Sequence, residues 1–274
     1  MPHPSAILIT GASGSLGLAA VNAFAGAGWL VYAADVSPGE YPAGVRAIEM
    51  DVTDERSVAS AARLIEEEAG GLDAILHMAG LYTMDSFIEI EPDTLRRMLD
   101  VNLFGVYLVN REFLPLIREK RGRIIITASE LAPLDPLPFN GIYSMTKRAL
   151  DGYAHSLALE LDLIGVRVVT LYPGAYGDGM TRAAVRAMER MSERTRLYPG
   201  IADRFRRIVA AETGSAKPPE KLAARILRIA GKRRPRLRYF MNDSLKLRLF
   251  SLLPMRAQAF ALRLLLKGKE RPSA

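Results

Sequence analysis

The sequence predicts a single doubly wound α/β domain, a parallel sheet with helices on both faces, followed by a helical C-terminal extension. Three observations predict it. Short apolar β runs alternate with helical stretches along the chain. A glycine-rich turn, Gly11 to Gly17, joins the first run directly to the first helix. No Pro/Gly/Ser-rich linker interrupts the 274 residues, 49% of them hydrophobic, so one large core can be buried. The expected division is a main domain over residues 1–240, in which 175–216 form helices over a cleft mouth, and a basic extension over 241–274.

Residues 5–10 read as the first strand, and the Ala-rich helix after the glycines runs to about Gly28. Glycines at such a turn let the backbone approach a pyrophosphate, and the helix amino terminus offers unpaired N–H groups to its charge. Gly11, Ser13, Gly14, Ser15, Leu16 and Gly17 are therefore candidate dinucleotide-binding residues. The second strand, 29–34, ends at Asp35, whose carboxylate can accept from both hydroxyls of a ribose and would repel a 2′-phosphate. No Lys or Arg occupies 12–16 or 33–37, so NAD is expected in preference to NADP. Strand 45–50 closes on Asp51 and Val52. Asp51 can reach an adenine amino group there, and Thr53 or Asp54 can cap a helix through Glu68. Strand 72–77 leads to Met78-Ala79-Gly80, a small-residue turn on which a flat ring can lie, and His77 reads as a structural strand-end residue. Residues 92–120 read as one long helix, with Asn102 among apolar neighbours where its amide needs partners.

A buried strand over 123–128 delivers Ser129 to its carboxyl end, where doubly wound sheets hold their ligands, and a Pro-rich loop over 132–138 follows. On the next helix, 141–164, Tyr143 and Lys147 stand four residues apart. That spacing turns a helix by about 400° and puts both side chains on one face. An isolated phenol has a pKa of about 10, so the expectation is that two nearby positive charges, Lys147 and an oxidised nicotinamide ring, lower it and make Tyr143 a usable base. Ser129 can then donate to a substrate oxygen. Strand 166–171 ends near Pro173-Gly174. Met180, Met188 and Met191, on one or two helices beyond, can line an adaptable apolar pocket, and ordinary core packing explains them equally well.

Composition excludes several chemistries. With no cysteine there is no disulfide, thiolate or zinc–sulfur site, and His3, His77 and His155 lie too far apart in sequence to suggest a metal site. The amino terminus lacks the regions of a secretory signal, so a cytoplasmic location is the default expectation, and no apolar run is long enough to span a membrane. The net charge of +7 is unevenly placed: residues 217–274 hold 16 Lys and Arg against 3 Asp and Glu. That segment predicts a helix over 217–231, a strand over 236–240, and a Leu-rich basic stretch over 244–267 interrupted by Pro254. Arg256, Arg263 and Lys267 form one stripe there and Phe260, Leu262, Leu264, Leu265 and Leu266 lie elsewhere, an amphipathic pattern suited to a membrane surface, a second subunit or the body itself. No nucleic-acid reading motif is present, and none is expected to be bound.

Taken jointly, these motifs resemble the short-chain dehydrogenase/reductase family. Thr10 to Gly17 is similar to its cofactor loop, Asp51 to its adenine contact, Met78-Ala79-Gly80 to part of its central turn, Asn102-Ser129-Tyr143-Lys147 to its catalytic tetrad, and Pro173-Gly174 to its nicotinamide-side turn, in family order over residues 5–175. The resemblance implies a Rossmann fold and hydride transfer between a nicotinamide and a carbinol or carbonyl carbon. Tyr143 would move the hydroxyl proton, Lys147 would hold the ribose hydroxyls, Ser129 would orient the oxygen, and Asn102 would anchor a water in a proton relay. Dimers or tetramers are implied as well. The basic Leu-rich end is similar to that of members acting on steroids and retinoids, which implies a hydrophobic alcohol or carbonyl substrate, with sugars, 3-hydroxyacyl substrates, or a low-activity cofactor-sensing or membrane-associated scaffold as alternatives.

Three departures from the family pattern carry expectations of their own. His77-Met78 stand in place of two asparagines, so the bonds that brace the central strand are expected to be missing. The interval from Ser129 to Tyr143 is longer than usual, which leaves the aim of Ser129 open. Thr181 stands later than the expected threonine and is not assigned.

Overall fold

The computed structural model describes residues 4–177, 179–212 and 216–267, with residues 180, 181, 211, 212 and 267 as backbone only. Seven parallel strands form one sheet: β1 Ala6–Thr10, β2 Leu30–Asp35, β3 Arg46–Glu49, β4 Ala74–His77, β5 Arg123–Thr127, β6 Arg167–Pro173 and β7 Arg238–Met241. Their order is β3-β2-β1-β4-β5-β6-β7, so the chain reverses its direction of travel between β1 and β4. That switch point opens the crevice at the carboxyl ends of the strands. Each strand overlaps the one expected from the sequence, and the doubly wound fold with a helical C-terminal extension is the one predicted.

Burial on both faces is why these runs become strands. Ile124, Ile125 and Ile126 of β5 are all fully buried, a β-branched run that only a two-sided sheet can cover. Side chains alternate between two cores. Leu8, Tyr32, Ile75 and Ile124 join the face covered by α2 (Glu55–Ala69), α4 (Gly105–Glu119) and α5 (Gly141–Asp162). Ile7, Ile9, Leu76 and Ile125 join the face covered by α1 (Ser15–Gly26) and α8 (Pro219–Ala230). Of the two expected caps, Asp54 serves: its carboxylate accepts from the Arg56 amide at 2.8 Å.

The long helix expected over 92–120 is interrupted. α3 (Pro92–Leu99) runs into a single π-type turn, Asp100–Phe104, before α4 begins at Gly105. One extra residue per turn rotates the following side chains, and such turns concentrate where a side chain must be aimed inward. Here it turns Asn102 fully into the interior.

Beyond β6, α6 (Gly179–Arg194) and α7 (Ile201–Glu212) lie over the crevice, and α9 (Leu245–Ser251) and α10 (Met255–Lys267) follow β7, separated by Pro254. Met188 and Met191 do not line a pocket. They are buried with Met84, Ala202, Phe205 and Leu266, where they join α6, α7 and α10 into one small core. Met180 and Thr181 lie outside the residues whose side chains are described. Buried Gln258 fixes α10 to the body by donating to the Asp135 carboxylate and the Leu253 carbonyl, both at 2.8 Å. Among the described residues no helix is long and apolar enough to cross a membrane.

The β1–α1 turn is packed to the limit of the backbone. Gly11 holds φ +65°, and a Cβ there would stand 2.5 Å from the Ala79 nitrogen. Gly11→Ala is therefore expected to lower unfolding stability by about 2–4 kcal/mol, from left-handed strain plus overlap with the β4 turn. A urea-denaturation midpoint equal to that of the parent chain would contradict this packing.

Candidate active site

Two adjoining cavities open at the carboxyl edge of the sheet, sharing Met78, Gly80 and Leu81 in their walls. The first, of about 220 Å³, is bounded by Ser129, Tyr143, Lys147, Pro173, Gly174 and Leu16 among others. The second, of about 310 Å³, is bounded by Gly11, Gly14, Asp35, Asp51, Val52 and Ala79 among others. Residues scattered over the sequence between positions 11 and 174 thus line one continuous crevice.

The four tetrad candidates come together in the first cavity and its floor. Tyr143 and Lys147 leave the same face of α5, and both are buried, at 3% and 6% exposure. The Lys147 ammonium donates to the Thr127 carbonyl at the end of β5 at 2.8 Å and lies 5.8 Å from the centre of the Tyr143 ring. Ser129, carried two residues past β5, hydrogen-bonds the Tyr143 phenol. The longer interval between Ser129 and Tyr143 is taken up by the Pro-rich loop, which Arg148 holds to α5 by donating to the carbonyls of Ala132 and Leu134. Beneath them the Asn102 amide is saturated. Its oxygen accepts from the Leu81 amide at 2.7 Å, and its nitrogen donates to the Leu81 carbonyl at 2.9 Å and to Thr146 at 3.1 Å. Neighbouring backbone and Thr146, which itself donates to the Tyr143 carbonyl, are the partners the sequence required.

The electrostatics of the pair show what Lys147 does by itself. Burial pushes the Tyr143 phenol up to about 12, and the negative charge of Glu130 adds to that rise while the Ser129 bond opposes it. Burial also brings Lys147 down to about 8. Desolvation penalises each charged form by more than a cation across the ring restores, so Lys147 alone does not make Tyr143 a phenolate.

In the second cavity the Asp35 carboxylate accepts from the amides of Ser13 at 3.0 Å and Ser37 at 3.2 Å. Each oxygen keeps further acceptor capacity toward the cavity that it lines. The Ser13 hydroxyl is turned away, donating to the Ser37 carbonyl at 2.9 Å, so Ser13 braces the loop after β2. Gly14 begins α1 without a side-chain cap, which leaves its first amides open to an anion. Ser15 faces the loop at Gly177, and Leu16 lies between that loop and the first cavity that it lines. Asp51 closes its own turn by accepting from the amide and hydroxyl of Thr53, and Val52 packs against Gly105. At Gly174 a Cβ would fall 2.0 Å from the Asn242 carbonyl, so a side chain is excluded beside Ser129's strand end. These observations fit a dinucleotide: a glycine cradle that a Cβ would fill, an uncapped helix terminus and an acidic residue on the cavity wall with acceptor capacity to spare.

The central strand is braced after all, by different atoms. Buried His77 hydrogen-bonds Asn110 of α4 at 2.8 Å, and Asn110 donates in turn to Tyr153 of α5 at 3.0 Å. Thr10 accepts from the amides of Met78 and Ala79, both at 3.3 Å. The sequence reading missed this network, together with Glu130 and Tyr82 in the first cavity and Arg97 in the second. Glu130 follows Ser129 directly and could have been noticed; Tyr82, 4.6 Å from Tyr143 ring to ring, and Arg97 carried no signal outside the fold.

Burial also pulls His77 from 6.5 down to about 4. The unfolded chain then binds a proton before the folded one does, so stability is full above pH ~6.5 and declines by up to about 3 kcal/mol as pH falls toward 4. His77→Gln, which keeps a donor for Asn110, is expected to flatten the loss of urea midpoint between pH 7 and pH 5. An identical slope in both proteins would remove His77 from the acid response.

Comparison with known proteins agrees with this geometry. Residues 5–189 match the short chain dehydrogenase family. Over 239 residues the chain is 30% identical to a 3-ketodihydrosphingosine reductase of Bacteroides thetaiotaomicron, covering 86% of this chain and 87% of the relative. Over 207 residues it is 30% identical to human 17-beta-hydroxysteroid dehydrogenase type 1, covering 74% of this chain and 62% of that protein. A short-chain dehydrogenase from Streptomyces avermitilis superimposes with a TM-score of 0.76 at 24% identity, over 98% of this chain and all of that one. The chain belongs to the short-chain dehydrogenase family and is an NAD(P)-binding oxidoreductase acting between alcohol and carbonyl groups.

Proposed function

We propose that the protein interconverts a lipophilic alcohol and its carbonyl compound with NAD, the substrate oxygen resting between Ser129 and Tyr143. The observation that carries this reading is the meeting of Ser129, Tyr143 and Lys147 in an apolar cavity whose wall is shared with the glycine-turn cavity. Leu16, Met78, Leu81, Leu131 and Ala184 line it, surfaces that favour a hydrophobic chain or ring over a polyol. Two relatives, the 3-ketodihydrosphingosine reductase and the 17-beta-hydroxysteroid dehydrogenase, support a lipophilic substrate.

When bound, the nicotinamide supplies the hydride donor or acceptor. Gly11, Gly14, Ser15, Leu16 and Gly17 would hold the pyrophosphate, Asp35 the adenosine ribose, Asp51 and Val52 the adenine, and Ala79, Gly80, Pro173 and Gly174 the nicotinamide side, with Ser13 supporting Asp35 from behind. Tyr143 gives a proton to the carbonyl oxygen in reduction and takes the hydroxyl proton in oxidation. Ser129 orients that oxygen. Lys147 holds ribose hydroxyls and keeps a positive charge beside the phenol, and Asn102 fixes the Leu81 backbone and α5 so that this pair keeps its place. Exposed Phe104, Tyr107, Leu159 and Leu163 support assembly as a homodimer or homotetramer.

Tyr143→Phe is expected to lower turnover of the best alcohol, found by screening steroids, retinoids and long-chain alcohols, by about 10²–10⁴-fold, while NADH affinity by fluorescence titration stays within a few-fold. Near-normal turnover would exclude Tyr143 from proton transfer. For cofactor choice, Asp35→Ala is expected to narrow the ratio of kcat/KM for NAD over NADP, and an unchanged ratio would mean that the carboxylate does not meet the ribose.

A further inference from the structure

α9 and α10 follow one another across Pro254, and each carries large apolar side chains that are exposed in the folded chain. Leu245, Leu249 and Leu252 recur at positions i, i+4 and i+7 along α9 and share one side of it. Leu252 is 79% exposed, Met255 at the turn 78% and Phe260 of α10 63%. Phe260 and Leu264, one helical turn apart, form a second row on the side of α10 away from buried Gln258 and Leu266. Single exposed apolar residues are ordinary, but rows of them on two consecutive helices mark an interaction surface.

Charge selects the occupant. Lys246, Arg248, Arg256 and Arg263 are exposed on the same two helices, and the only acid between residues 243 and 266 is Asp243, which pairs with Arg248 at 3.0 Å. Arg256 and Arg263 are seven residues apart and so flank the Phe260–Leu264 row on one side, where their chains can lie along an apolar phase and keep the guanidinium groups in water. A second copy docked about a two-fold axis would set this cationic face against itself. An anionic lipid surface instead offers hydrocarbon to the row and phosphate to its flank.

We infer that the α9–α10 segment is a lipid-surface docking face, its apolar rows entering the acyl boundary of an anionic bilayer and its arginines resting on the headgroups. The segment is fixed to the crevice: Ser244, which caps α9, donates its amide to the carboxylate of Glu130, the residue next to Ser129. Leu266 at the far end of α10 is buried with Met188 and Phe205 of the helices over the crevice. A docked segment would therefore hold the mouth of the first cavity at a set distance from the membrane, where a lipophilic substrate is concentrated.

The test is co-sedimentation of the full-length chain with vesicles of phosphatidylcholine alone and of phosphatidylcholine with phosphatidylglycerol, alongside the triple variant Leu249→Ser, Phe260→Ser, Leu264→Ser. All three positions are exposed, so the variant is expected to keep the circular dichroism and NADH affinity of the parent. The parent is expected to bind the anionic vesicles more strongly than the neutral ones, and the variant to lose about tenfold or more of that affinity. Failure of the parent to bind anionic vesicles, or binding that the variant retains, would overturn the inference. Concentration-dependent dimerisation abolished by the variant, with no vesicle binding, would overturn it in favour of a second copy. Vesicle binding is read without turnover, so it is decided independently of the redox chemistry.

Discussion

Lys147 carries an ammonium into the interior, and the strand ends around it are arranged so that it can stay there. A buried cation without a partner costs several kcal/mol. Here the Thr127 carbonyl at the open end of β5 accepts a hydrogen bond from it at 2.8 Å. Even so, burial brings its pKa down to about 8 and raises that of Tyr143 to about 12. The folded chain thus stores a phenol and a cation side by side in a place where further positive charge, or a polar substrate oxygen, acts with little screening.

Two backbone irregularities hold that pair in position. The π-type turn at Asp100–Phe104 points Asn102 at Leu81 and Thr146, which ties the turn after β4 to α5. The left-handed Gly11 lets the β1–α1 turn settle against Ala79. Both act on the same segment, residues 78–82, from opposite sides, and that segment is the wall between the two cavities. The two cavities are therefore one mechanical unit. His77, one residue upstream, braces the same strand to α4 and α5 through Asn110 and Tyr153.

Much of this was legible in the sequence because it depends on local rules. Apolar runs of five or six residues between helices read as buried parallel strands, and a four-residue spacing fixes Tyr143 and Lys147 to one helical face whatever surrounds them. What escaped depends on packing between distant segments. Helical periodicity over 92–120 does not distinguish an α turn from a π turn, so the aim of Asn102 had to come from the fold. The replacement of one bracing pattern by His77–Asn110–Tyr153 joins residues 33 and 43 positions apart. Met188 and Met191 looked suited to a pocket by residue type alone, and only the docking of Leu266 from α10 shows that they close a core instead. The rise in the Tyr143 pKa has the same origin, since the extent of burial there is a property of the whole crevice.

The central claim is that Tyr143 is a buried phenol which becomes a phenolate only when positive charge beyond Lys147 enters the crevice. Ultraviolet difference titration of the parent chain against Tyr143→Phe measures this directly. With no dinucleotide present, the difference spectrum is predicted to show no phenolate band up to pH ~10. With saturating NAD the band is predicted to appear below that pH. The same titration curve with and without NAD would contradict the claim.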